Sequence, residues 1–123
     1  MRRTLSVLAL TAAVLAPSVG LANDDLLSGL WKVSGHVAAF KFSETCRLER
    51  HGDQLAGACL EGEGATHPLT GGSIAGDRVT WTHRGHFLFK SFDVVYSATL
   101  DGGAMHGELS AAGHSGPFTA ARL

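Results

Sequence analysis

From residue 29 onward the chain reads as short runs in which apolar and polar side chains alternate, interrupted by Gly and Asp. Alternation of period two marks half-buried strands, and no window of about a dozen residues carries a helical period. The pattern predicts eight strands, at 29–36, 38–51, 54–61, 66–75, 78–84, 90–100, 104–110 and 116–122. The best defined element is the hairpin from Phe40 to Leu60. Phe40, Phe42, Cys46 and Leu48 alternate with Lys41, Ser43, Thr45, Arg47 and Glu49, so one face is core and the other meets water. Gly52-Asp53 suits a two-residue turn whose first residue takes a positive φ. Gly76-Asp77 and Gly102-Gly103 repeat the device and set Ile74 against Val79 and Leu100 against Met105. Successive hairpins of this kind make sequence neighbours spatial neighbours. A single sheet with one apolar face buries that face by closing on itself, so the predicted fold is an all-β, eight-stranded antiparallel up-and-down meander barrel.

The first turn also fixes a register. Residues flanking Gly52-Asp53 pair outward from His51 and Gln54, and five steps along Cys46 faces Cys59 at a non-hydrogen-bonded position, where side chains approach most closely. These are the chain's two cysteines. A disulfide fits that site; the alternatives are two free buried thiols or half of a metal centre, for which no third or fourth cysteine exists.

The N-terminus supplies a compartment in which such a bond forms. Arg2 and Arg3, the apolar run from Leu5 to Ala16, Pro17 and then Gly20-Leu21-Ala22 have the order of a secretory signal, giving a signal peptide at 1–22 and a single domain at 23–123. The apolar run is shorter than the about 20 residues a membrane span needs, and no later stretch approaches that length, so no membrane span is expected. Periplasmic or secreted localisation follows. Removing residues 1–22 takes away two arginines, leaving 8 Lys+Arg against 11 Asp+Glu, a net charge of −3. That balance argues against a nucleic-acid or anionic-membrane partner.

Gly29-Leu30-Trp31 on the opening strand and Arg122 on the closing one are similar to the calycin arrangement of lipocalins, avidin-like proteins and small bacterial metalloprotease inhibitors. The resemblance implies that Gly29, Trp31 and Arg122 form a structural closure, with the indole at one end of the barrel and the basic side chain packed across it. The chain lacks a full lipocalin's length and the tryptophan set of biotin binders, and in size and single disulfide it resembles the small inhibitor barrels most.

Sites for chemistry are few. His83-Arg84-Gly85-His86 has a spacing that would set two imidazoles on one ion, but strand parity puts His83 inside with Val79 and Trp81 while His36, His51 and His106 point outward; no metal site is expected. Glu44 sits on the apolar parity between Phe42 and Cys46. Continued register would place Glu61 opposite, giving two carboxylates able to share a proton; an early strand end near Gly62 and Gly64 would instead leave both at a wet rim. Residues 85–89, with Phe87, Leu88 and Phe89 in succession, are either core at the start of strand six or a binding mouth or interface. No Gly-x-Ser-x-Gly elbow is present, and Gly71-Gly72 reads as a turn or close approach rather than a phosphate loop. The expectation is a non-enzymatic binding module without a cofactor. It would hold a small apolar or amphipathic ligand against Phe42, Glu44, Trp81, His83, Phe87, Phe89 and Tyr96, with Phe92 on the same inner face. The alternative is a protein-interaction or hydrolase-inhibitor barrel, acting through its surface or through an arm at 23–28.

Overall fold

The structure, a computed structural model, describes residues 25–62 and 64–123; the signal peptide expected at 1–22 lies outside them. Eight strands, β1 (Gly29–Val37), β2 (Phe40–His51), β3 (Gln54–Glu61), β4 (Thr66–Ala75), β5 (Arg78–Phe87), β6 (Lys90–Asp101), β7 (Ala104–Ala111) and β8 (His114–Arg122), run antiparallel and close β1 onto β8. The barrel is the predicted one, up-and-down throughout. Every connection except 62–65 is a two-residue turn that sets the register beside it, and the registers shift only along β4, on both of its sides. Cys46 faces Cys59 with Cα atoms 3.9 Å apart, and the disulfide is formed.

Three boundaries differ from the sequence pattern by more than one residue. Ala38-Ala39 forms the β1–β2 turn, β8 begins at His114, and β5 continues to Phe87 because residues 84–87 still pair with β6. Gly71-Gly72 is no turn; it lies within β4, where the pairing with β5 shifts register. The core expectation for Phe40, Phe87 and Phe89 fails. Phe40 has the inward parity of β2, but it lies beyond the last closed rung and is exposed, as are Phe87 and Phe89.

The strands repeat at an interval of fifty residues. Displaced by 50, β2 falls on β6 and β3 on β7, and Trp31, Gly35, His36, Phe42, Gly52 and Gly57 fall on Trp81, Gly85, His86, Phe92, Gly102 and Gly107. The backbone repeats too: Ala38 and Leu88 both take positive φ, at 53° and 59°. Side-chain packing follows the same rule. Phe42 faces Gly35 across β1–β2 and Phe92 faces Gly85 across β5–β6. Each ring covers its glycine so closely that a β-carbon there would lie 2.9 Å or 2.8 Å from it. The barrel is thus two similar four-stranded halves.

Side chains fill the interior. Trp81 stacks on Tyr96 with centroids 4.7 Å apart and planes 9° from parallel, and Phe118 meets both edge-on. Trp31, Val33, Leu48, Met105 and the disulfide are buried in the same interior. The end near Trp31 is sealed by the segment before β1. Leu27 is fully buried, Trp31 Nε1 donates to its carbonyl at 2.7 Å, and Arg122 donates to the carbonyls of Ser28, at 2.6 Å, and Leu26. Arg122 Cζ lies 5.1 Å from the Trp31 ring centroid, a cation–π contact. Residues 25–28 are therefore a plug and not a projecting arm, since burying Leu27 removes an apolar side chain from water.

The packing at Gly35 sets a measurable cost. A β-carbon there would stand 2.6 Å from the Pro117 carbonyl oxygen and 2.8 Å from Phe118 Cβ. Gly35→Ala should destabilise the barrel by about 1–3 kcal/mol, read as a lower urea midpoint at unchanged slope.

Candidate functional site

The sequence-predicted site residues divide among three places. Glu44, His83 and Tyr96 meet inside the barrel, Trp81 lies beneath them in the core, and Phe87 and Phe89 stand at the open end, where the β1–β2, β5–β6 and β7–β8 turns lie. Phe42 is half-buried, its ring spent in covering Gly35.

The interior group is a hydrogen-bonded chain. Glu44 and His83 are 5% and 2% exposed, the two charged or titratable side chains buried in an apolar core among the described residues, apart from the Tyr96 phenol. Tyr96 Oη donates to Glu44 Oε1. His83 Nε2 lies 3.1 Å from Tyr96 Oη, and its Nδ1 lies 3.1 Å from the Arg84 carbonyl oxygen. These contacts fix the number of protons in the chain. A carbonyl only accepts, so Nδ1 carries hydrogen; Tyr96 has one proton and gives it to Glu44, so Nε2 must donate to the phenol oxygen. The chain is then imidazolium, phenol and carboxylate. Shifting two protons along it yields neutral imidazole, phenol and carboxylic acid with the same proton total. Either arrangement satisfies every contact. Removing one proton leaves two lone pairs facing each other in the core, which is costly.

Burial on its own would lower the His83 pKa, but the Glu44 carboxylate and the Arg84 carbonyl outweigh it and hold the group above its ordinary 6.5. Burial, reinforced by the Glu44 charge, pushes the Tyr96 phenol far up, so it bridges as a phenol. His67 on β4, which sequence reading missed, stacks on His83 with centroids 5.0 Å apart and planes 15° from parallel. Its Nε2 lies 3.3 Å from Glu61 Oε1, an ion-pair distance without hydrogen-bond alignment. No apolar parity flags His67, because β4 carries shifted registers on both sides.

Glu44 and Glu61 are cross-strand partners, as continued register requires, yet the carboxylates do not form a pair. Glu44 turns inward to Tyr96, and Glu61, at the end of β3, is exposed. Both line a small cavity of about 250 Å³ with Phe42, Ser43 and Gly62. Glu44 also lies within 4.8 Å of both cysteine sulfurs, but these are bonded to each other and are not available as ligands. The 83–86 spacing fails to gather two imidazoles, since His83 faces inward and His86 is exposed.

The open end is apolar. Phe40, Phe87, Leu88 and Phe89 are 66%, 61%, 81% and 103% exposed, and the Phe40 and Phe87 centroids lie 6.3 Å apart across the mouth. Behind them a cleft of about 380 Å³ is lined by Val37, Phe40, Phe87, Phe92 and Ala111, with His86 and His114 at its edge. The part Phe40, Ala111 and His114 play was hidden from sequence reading because turns join residues that are far apart in the chain. No known family model and no curated protein matches the chain.

The interior chain makes stability depend on pH with a defined sign. A group whose folded pKa is raised stabilises fully below its unfolded value, and the gain is lost as pH rises through the folded value. The unfolding free energy should therefore fall as pH climbs from 6.5 through the elevated His83 value. Glu44→Gln should abolish this slope in urea titrations at stepped pH, and should cost about 3–5 kcal/mol at pH 6 by breaking a buried charge pair.

Proposed function

We propose that this protein is an exported, non-enzymatic binding module of calycin-like plan that holds a small apolar or amphipathic molecule in the cleft at its open end. The observation that carries the reading is the cleft itself: about 380 Å³, framed by exposed Phe40 and Phe87, floored by Phe92 and Ala111 and edged by two imidazoles. Sites for small molecules fall in this size range and combine apolar walls with few polar groups. The ligand binds at the mouth rather than along the axis, because Trp81, Tyr96 and Phe118 occupy the axis. The Trp31–Arg122 contact supports the calycin-like plan, and the disulfide supports an oxidising compartment outside the cytoplasm. A filled interior also favours a second reading, a protein-interaction or inhibitor barrel that presents the same apolar mouth to a partner.

Anilinonaphthalene sulfonate, a fluorescent amphipathic anion, should bind with one-to-one stoichiometry and brighten, and Ala111→Phe, which plugs the cleft, should weaken it at least about tenfold. Unbrightened dye, with no thermal shift across a panel of lipids and metabolites, refutes the small-molecule reading.

A further inference from the structure

The turns at the two ends of the barrel are built differently. At the sealed end the positive-φ turn positions are glycines, Gly52, Gly76 and Gly102; at the open end Ala38, Leu88 and Ala112 take positive φ as well as Gly64 and Gly113. A left-handed conformation costs an L-residue about 1–2 kcal/mol, and glycine avoids the cost. Leu88 bears it while 81% exposed, next to a Phe89 that touches almost nothing. Folding explains neither residue. Sparsely populated backbone at an exposed apolar tip points to a function for the tip.

We propose that the open end docks on a phospholipid surface, with Leu88 and Phe89 entering the acyl boundary and Lys41 and Lys90 meeting the lipid phosphates. The tips are convex two-residue turns, and a fluid apolar phase receives a protruding ring without a matching pocket. The charges are layered to suit. Lys90 pairs across the strand with Phe87 and Lys41 with His36, one or two residues behind the tips. At about 3.3 Å per residue this sets the ammonium groups near the headgroups when the tips lie about 5 Å deep. No carboxylate occurs in 36–41, 86–91 or 111–114. Glu61 and, by its place in the sequence, Glu63 belong to the remaining connection, across the mouth from the β7–β8 turn, so the docked barrel leans away from it. Asp53, Asp77 and Asp101 lie at the turns of the sealed end, the length of a strand away. The Debye length at physiological salt is about 8 Å, so the surface senses the local lysines and not the net charge of −3 that argued against an anionic membrane.

The inference uses Leu88, Phe89 and the lysines rather than the floor of the cleft, so its test separates the two. Flotation of the protein with phosphatidylcholine vesicles and with vesicles containing one-fifth phosphatidylglycerol should recover it on both, more on the second. Leu88→Gly with Phe89→Ser should lower the partition coefficient at least about tenfold on both. Leu88→Gly alone should weaken flotation while leaving the melting temperature equal or higher, since glycine relieves the turn. Lys41→Gln with Lys90→Gln should weaken binding several-fold on the anionic vesicles and little on the neutral ones. Ala111→Phe should float as the wild type does even where it has lost the dye. Wild-type protein that floats with neither vesicle, or a Leu88→Gly/Phe89→Ser variant that floats as well as wild type, overturns the proposal.

Discussion

Two-residue turns leave the chain no slack. With seven connections and only 62–65 longer, each strand outside β4 is locked to the next at a register set by its turn, and a slip of one residue would send every inward side chain outward. The features that matter here are consequences of that lock. It sets Cys46 against Cys59, Gly35 under Phe42, Trp31 beside Arg122 and Glu44 across from Glu61. The site inherits its geometry from the same source, because Glu44, His83 and Tyr96 reach one another only if β2, β5 and β6 all hold register.

Where the lock operates, the sequence was legible. Parity and turns sufficed for the barrel, for the disulfide and for the inward placement of Glu44, Trp81, His83 and Tyr96. They were insufficient where side chains meet across the barrel. Nothing in the local pattern of β2 says that the Glu44 carboxylate accepts a hydrogen bond from Tyr96, 52 residues away, rather than facing Glu61. Parity also misleads at the ends of strands. Phe40 obeys the inward rule and is exposed, because facing inward buries a side chain only where further rungs close over it.

The two halves repeat their backbone and divide their chemistry. Positions equivalent to Glu44, His83 and Tyr96 in the other half hold Val94, Val33 and Cys46, so one half-turn of the barrel is polar where its counterpart is apolar. The open end diverged too, with Val37-Ala38-Ala39 in one hairpin and Phe87-Leu88-Phe89 in the other. Similar frames thus carry a buried charge chain, a disulfide and an apolar tip, each made once. The outward face of the mouth and the packed axis are consequently separate systems, and a change at one need not disturb the other.

The buried chain also alters what an empty barrel means. Its interior holds no space for a molecule where Trp81 and Tyr96 stack, yet it holds protons in the two gaps that lead from His83 Nε2 through Tyr96 Oη to the Glu44 carboxylate. In thermodynamic terms the proton is a ligand that binds the folded chain more tightly than the unfolded one. Acidity then adds to the stability of this filled barrel as a bound lipid or cofactor does to that of a hollow one.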